Sequence, residues 1–130
     1  HAATGLGAFR GERRLQVSSV SSIGDAQVSV TFNDGWDALG LTPRLVELQC
    51  SAYRARGYGD FWQHMLVAEG AIDVAVDAIG VQPYDLAAVQ VVVEAAGGRF
   101  TDRLGEATYL HDSAVSSNGT LHDGVIAALR

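Results

Sequence analysis

The sequence predicts an α/β fold in which a mainly parallel sheet is flanked by helices. Short apolar runs that alternate like strands, such as residues 26–32, are followed repeatedly by segments in which apolar residues recur at helical spacing. Some helical segments also carry start and stop signals, most clearly between Pro83 and Gly98. This alternation of strands and helices is typical of a sheet that is covered on both faces.

Residues 84–102, YDLAAVQVVVEAAGGRFTD, contain the clearest helix. Pro83 suits the first turn, because its missing N–H has no partner there, and the two glycines at 97 and 98 suit the end. The apolar positions of one face are predicted to be buried: Leu86, Val89, Val92, Val93 and Ala96. Asp85 stands at the helix start, where it either caps free backbone N–H groups or points a carboxylate into a site.

The other elements follow from the same signals. Residues 5–19 are predicted to form two strands around a turn at Gly11-Glu12, and residues 26–32 a strand. We expect a helix from Thr42, as its cap, to about Ala55. The remaining predicted elements are a helix over 61–68, a strand over 71–76, a brief strand over 99–101, a polar excursion over 104–112, a strand over 114–117 and a helix over 120–129.

Composition limits the classes of function. A chain of 130 residues with 48 % hydrophobic content can bury one core, so we expect a single domain. The formal charge of −6 argues against nucleic-acid and anionic-membrane partners, because there is no basic excess. The lone Cys50 allows no internal disulfide, which favours a cytoplasmic setting, and we expect it to be buried on its helix. No apolar run is long enough to span a membrane.

The run from Asp85 to Gly98 resembles the carboxy-terminal signature of the inositol monophosphatase family. In that signature a Trp-Asp pair precedes small residues and a cluster of Glu, Ala, Gly and Gly. Tyr84 stands where the family usually has Trp, and we expect this aromatic side chain to pack as well. The resemblance covers residues 5–129 and implies that Asp85 is a magnesium ligand that also touches the substrate.

The resemblance also implies that this chain is the carboxy-terminal half of the family's layered αβαβα fold. The family's amino-terminal half supplies a glutamate and an Asp-Pro-Ile-Asp-Gly-Thr-like motif, and the present sequence contains no such motif. We therefore expect residues 1–20 to form a hairpin of the preceding sheet and residues 21–130 to form an α/β half-domain. The isolated chain should be inactive, and the intact protein should be a homo-oligomer, commonly a dimer.

Residues 55–76 are similar to the histidinol-phosphate phosphatases within this superfamily. That substrate carries a protonated amine and an imidazole. The resemblance implies that Asp60 pairs with the amine, that Arg56 holds the phosphate or orients Asp60, and that Gly59 belongs to the substrate site. The residues alone leave another interpretation open, in which Asp60 only caps the helix that begins at Phe61.

One further acid and three histidines are candidates for the site by residue type. Asp77 precedes Asp85 by eight residues, near a family glutamate that binds substrate hydroxyls, but it could equally be a solvated loop acid. His64 lies on a helix among apolar residues and is predicted to be a packed or surface histidine. The spacing of His111 and His122 matches no metal-ligand pattern, and they are assigned no role.

The implied activity is magnesium-dependent hydrolysis of a phosphate monoester, with histidinol phosphate of histidine biosynthesis as the preferred substrate. Magnesium prefers oxygen ligands, which suits a site of carboxylates and phosphate. Two alternatives stay open. The intact protein could be an inositol-1-phosphate phosphatase or a relaxed sugar phosphatase, or the chain could be a non-catalytic module that pairs with a separate partner chain.

Overall fold

The computed structural model describes all of residues 1–130, which form two sheets and five α-helices. The strands are β1 (Ala2–Ala3), β2 (Gly7–Arg10), β3 (Arg13–Arg14), β4 (Gln27–Val30), β5 (Arg54–Arg56), β6 (Val74–Val76), β7 (Arg99–Thr101) and β8 (Val115–Ser117). The helices are α1 (Asp34–Ala38), α2 (Thr42–Ser51), α3 (Asp60–Glu69), α4 (Pro83–Ala95) and α5 (His122–Ala128). None of these helices is both long and apolar enough to cross a bilayer.

The larger sheet confirms the α/β class, but its pairing is mixed. Its strand order is β5-β4-β6-β8-β7, in which β4 pairs in parallel with β5 and β6, and β8 pairs antiparallel with β6 and β7. Four strands therefore run in one direction, and β8 is inserted between two of them in reverse. The reason lies in the connection from β7 to β8, which has no helix: a loop can join antiparallel neighbours, whereas parallel neighbours need a crossover.

The segment after α2 differs from the prediction. The helix ends at Ser51, because Ala52 is extended, and residues 54–56 form the edge strand β5 beside β4. The expected continuation to Ala55 is therefore wrong. Cys50 is exposed rather than buried, since Leu45 and Leu48 occupy the inward face of the helix. Thr42 is the first helical residue rather than the cap, and its hydroxyl donates to Asp37 at 2.7 Å.

Helices cover both faces of the larger sheet. Alternate residues of β6 point to opposite faces: Val74 and Val76 pack with α2 and α5, whereas Ala75 packs on the α3 side. Phe100 packs with α3 and α4 on that second side. The sheet is thus a central layer between two layers of helices, as the alternation of elements predicts.

The amino-terminal residues form a small antiparallel sheet of β1, β2 and β3. The turn predicted at Gly11-Glu12 is confirmed between β2 and β3. Ala8 and Leu15 are buried against the same apolar cluster as Leu86 and Val89 of α4. The small sheet therefore packs against α4.

Helix α4 matches its sequence signals closely. It begins at Pro83, and Gly97 after its last turn has φ +90°, a left-handed conformation that favours glycine. The predicted inward positions are buried apart from Val92, which is half-buried. Gly98 then lies directly against the backbone of β8, where a Cβ atom would come 2.5 Å from the carbonyl oxygen of Ser117.

This close approach gives a test of the fold. Gly98→Ala should lower the free energy of unfolding by about 2 kcal/mol, because the added methyl group overpacks a site bounded by backbone. Gly124→Ala is the matched control, since a Cβ there meets nothing within 4 Å and alanine favours helix α5. Urea unfolding curves measure both changes, and an equal shift of the two midpoints would contradict the packing described.

Candidate active site

A cavity of about 520 Å³ opens where α3 and α4 begin. Three acidic residues line it: Asp60 at the start of α3, Asp77 after β6 and Asp85 in the first turn of α4. His64 lies in its wall with no exposed surface. The cavity lies beyond the carboxyl ends of β5 and β6, which is where open α/β sheets bind ligands. The structure thus brings together three of the predicted site residues.

Asp85 both caps a helix and faces the cavity. One of its carboxylate oxygens accepts the backbone N–H of Gln82 at 3.1 Å, and the other has no hydrogen-bond partner in the chain. The two sequence interpretations of Asp85 are therefore compatible. Tyr84 also lines the cavity but is 83 % exposed, so the expected packing of this side chain is wrong. Tyr84 lies before Leu86, the first buried residue of α4, and its side chain stands at the rim of the cavity.

Asp60 has an unusual backbone conformation and an unpartnered side chain. Its φ is +48°, the only non-glycine value in the left-handed region, and Gly59 before it has φ 70° and ψ 169°. That combination at position 59 is essentially restricted to glycine. Gly59 is the cap of α3 and Asp60 is the first helical residue, and the carboxylate of Asp60 makes no hydrogen bond to the chain. The capping interpretation of Asp60 is therefore not observed.

Asp77 is buried and firmly held. Its Oδ1 accepts the backbone N–H of Ala78 at 2.8 Å, and its Oδ2 lies 2.9 Å from Nε2 of His64. Its backbone carbonyl accepts the indole N–H of Trp36 at 3.1 Å. Asp77 is thus an ordered acid at the cavity wall rather than a solvated loop acid.

His64 is fully buried, so of the two expectations, packed or at the surface, the packed one is confirmed. The partners of its ring were not predicted: Nε2 contacts Asp77, and Nδ1 lies 2.7 Å from Oγ of Ser116 on β8. Ser116 is 52 residues away along the chain, so no local spacing could have linked the two. The helical apolar spacing around position 64 indicated burial only.

Arg56 is not brought into the cavity. It is exposed on the edge strand β5, and its guanidinium donates to the carbonyl oxygen of the adjacent Ala55 at 3.1 Å. Gly59 leaves open space around its Cα, where a Cβ atom would meet nothing within 4 Å.

A second acidic group lies on the loop between β7 and β8. Ligand atoms of Asp102, Glu106 and His111 lie within 4.8 Å of one another. The carboxylate of Asp102 is already occupied, because it accepts the backbone N–H groups of Leu104 and Glu106 and contacts Nδ1 of His111 at 2.7 Å. Burial opposes its ionisation, but these hydrogen bonds outweigh burial and lower the pKa of Asp102. The group therefore organises the loop.

His122 is buried between the two carboxy-terminal strands. Its Nε2 lies 2.7 Å from Oγ1 of Thr101, and its Nδ1 lies 2.8 Å from Oγ of Ser117. Burial, with a smaller contribution from Arg99, lowers the pKa of His122 to about 4. His111 has the opposite shift, because its hydrogen bond to Asp102 raises the pKa of its ring.

The chain is similar in sequence and in fold to proteins of one known family. The profile of the inositol monophosphatase family matches residues 1–130, the whole chain. The chain belongs to the inositol monophosphatase family. Solved structures of IMPases from Thermotoga maritima and from Anabaena superpose on 98 % of the chain, each with a TM-score of 0.85, at 28 % and 25 % identity. The chain covers 49 % and 52 % of those two family members.

Among curated relatives, the chain is similar to two proteins named histidinol-phosphatase. It is 45 % identical to the one from Mycobacterium tuberculosis over 98 % of this chain and 51 % of that protein. It is 37 % identical to the one from Streptomyces coelicolor over 95 % of this chain and 48 % of that protein. The chain thus spans about half the length of the curated relatives that it matches.

The pKa values of His122 and His111 are shifted in opposite directions, so the two histidines should change the pH dependence of stability in opposite ways. His122 binds its proton at about pH 4 in the folded state and near 6.5 in the unfolded state, so stability falls as the pH drops from 6.5 to 4. His122→Gln should remove roughly 2 to 3 kcal/mol of this fall in the free energy of unfolding, provided that the variant folds. Denaturant unfolding at several pH values measures the slope.

His111→Gln is the control with the opposite sign. The raised pKa of His111 stabilises the fold below pH 6.5, and this stabilisation is lost as the pH rises through the folded-state pKa. Its removal should make the loss of stability in acid steeper. Equal slopes in the wild type and in His122→Gln would contradict the assignment of the buried histidine.

Proposed function

We propose that this chain is the carboxy-terminal half of a magnesium-dependent phosphate monoesterase that prefers histidinol phosphate. The observation that carries the proposal is the carboxylate of Asp60, which is free of partners and lines the same cavity as Asp85. A free carboxylate there can pair with the protonated amine of the substrate while the phosphate lies at the metal. The relatives named histidinol-phosphatase support the same substrate.

The residues of the cavity offer the type of ligand atom that a magnesium ion prefers. Their donors are carboxylate oxygens, which magnesium prefers, and Asp85 would hold the ion through the oxygen that Gln82 leaves free. A bound magnesium ion activates water and stabilises charge on phosphoryl oxygens. No three acidic or imidazole ligand atoms of the cavity converge within 4.8 Å. We infer that an amino-terminal half supplies the other ligands.

The rim of the cavity suits the remainder of the substrate. Phe61 lines it with 63 % of its surface exposed, and Tyr84 is still more exposed, so both rings can take a flat imidazole against a face. The exposed guanidinium of Arg56 holds only a neighbouring carbonyl group, and we propose it as a phosphate ligand in the whole protein. Gly59 leaves room for the substrate beside Asp60.

The wider organisation is part of the same proposal. Residues 1–20 would continue a sheet begun by the amino-terminal half, and residues 21–130 would form the α/β half-domain. We propose that the whole protein is a homo-oligomer of the cytoplasm, a setting in which the free Cys50 stays reduced.

The metal role is tested with Asp85→Asn in the full-length product of the gene. The variant should need at least about tenfold more magnesium for half-maximal phosphate release, because it loses a charged oxygen ligand. The 130-residue chain alone should release no phosphate from histidinol phosphate at any magnesium concentration. Phosphate release by this chain would show that its own residues complete the site.

The substrate role is tested with Asp60→Asn in the same full-length protein. We expect kcat/KM for histidinol phosphate to fall about 10- to 100-fold, the value of a hydrogen bond between charged groups, and activity on inositol 1-phosphate to persist. Asp25→Asn, at an exposed position outside the cavity, is the control. Equal loss on both esters would favour an inositol or relaxed sugar phosphatase, and inactivity of the wild type on every ester would favour a pairing module.

A further inference from the structure

A chain of hydrogen bonds runs from the sheet to the cavity wall. It joins Ser116 on β8, the ring of His64 on α3 and the carboxylate of Asp77 after β6, at 2.7 and 2.9 Å. Ser116 and His64 are completely buried, and Asp77 is 7 % exposed, so water does not compete for these contacts. The metal site proposed above uses none of the three side chains.

The partners determine where the ring proton lies. A carboxylate only accepts hydrogen bonds, so Nε2 of His64 must donate to Asp77. In the neutral ring Nδ1 then accepts, and the hydroxyl of Ser116 is its donor. Both ring nitrogens are occupied, and the ring is closed to solvent. Because its side chain is fully buried and both nitrogens are bonded within the chain, His64 reaches a ligand in the cavity only through Asp77.

The effect on Asp77 is to fix the plane of its carboxylate. The backbone N–H of Ala78 holds Oδ1, the ring of His64 holds Oδ2, and Trp36 holds the backbone carbonyl. A carboxylate has about four acceptor sites, so two donors leave others free. Because the side chain of Asp77 lines the cavity, its free acceptor sites are available to a ligand there.

We propose that His64 is a positioning residue that aims Asp77 at an N–H or O–H donor on the non-phosphate part of the substrate. The inference rests on the proposed function, since it requires that a phosphate ester binds in this cavity. It goes beyond that function by assigning a specificity role to a buried histidine. A donor costs less to bind when the accepting carboxylate is already held at a fixed angle than when that carboxylate rotates freely.

Two variants of the full-length protein separate positioning from packing. Glutamine can place its amide nitrogen near the position of Nε2, whereas the shorter asparagine reaches only the position of Nδ1. His64→Asn should raise KM for histidinol phosphate about tenfold with little change in kcat. A rise in KM of about tenfold is the expected effect of losing one hydrogen bond in substrate binding. His64→Gln should keep KM within about threefold of the wild type, because it restores the donor.

Gln63→Met provides the matched control. Gln63 is also fully buried on α3 and bonds to Ser29 and Thr31, but it does not line the cavity. This variant should lose stability and keep KM. Equal effects of His64→Asn and His64→Gln, or a loss in kcat at unchanged KM, would overturn the positioning role.

A double-mutant cycle and a spectrum complete the test. Asp77→Asn combined with His64→Asn should raise KM no further than Asp77→Asn alone, because both act through one carboxylate. The ¹⁵N spectrum of the wild-type ring, assigned by its loss in His64→Gln, should show a proton on Nε2. A ring protonated at Nδ1 alone would overturn the inference even if His64→Asn does not fold.

Failure of the proposed substrate gives a different result. If the wild-type protein hydrolyses inositol 1-phosphate but not histidinol phosphate, the substrate proposal is wrong, and the KM comparison is made with inositol 1-phosphate. The positioning role then stands if His64→Asn and His64→Gln still differ on that ester, and it falls if they do not.

Discussion

The short strand β6 holds the cavity together through its pairing on both edges. It pairs in parallel with β4 and antiparallel with β8, and its three residues are completely buried. An acid flanks each end of the strand. Asp73 accepts the backbone N–H of Gln27 at 2.7 Å and also binds the hydroxyl of Ser18, so it ties β6 to β4 and to the amino-terminal segment. Asp77 at the other end faces the cavity. The antiparallel neighbour β8 then brings Ser116 within reach of α3.

The three acids of the cavity differ because their local backbones differ. Asp85 lies in the first turn of a helix, where free N–H groups and the helix dipole favour a negative charge. Asp60 is held in a left-handed conformation with no partner for its side chain, and such strain is concentrated at ligand sites. Asp77 is held by two donors. Asp85 is therefore suited to binding a cation, Asp60 to pairing with a positively charged group of a ligand, and Asp77 to accepting a hydrogen bond of fixed direction.

Local sequence signals correctly predicted the elements whose bounds depend on residues that are close together in the chain. Pro83 and the glycines after residue 96 bound α4 within the chain itself, because proline lacks a donor and glycine tolerates positive φ. The same signals failed at residues 54–56, since strand β5 forms only by pairing with β4, and a short polar edge strand carries no distinct pattern. Cys50 was misplaced for a related reason: the helix turns its other face inward, toward α5 and the sheet.

The sequence by itself determined the α/β class and the position of α4, because these follow from residue type and spacing of near neighbours. The resemblance of its motifs to the inositol monophosphatase family singled out Asp60, Asp77 and Asp85 as candidate residues. Only the tertiary structure decided that the three acids share one cavity and that Asp60 is free of the cap. It also decided that His64 connects Ser116 to Asp77. The contact with Ser116 depends on the position of β8, which runs in reverse between β6 and β7. Such long-range pairing is set by the packing of the whole sheet and leaves no period in the chain.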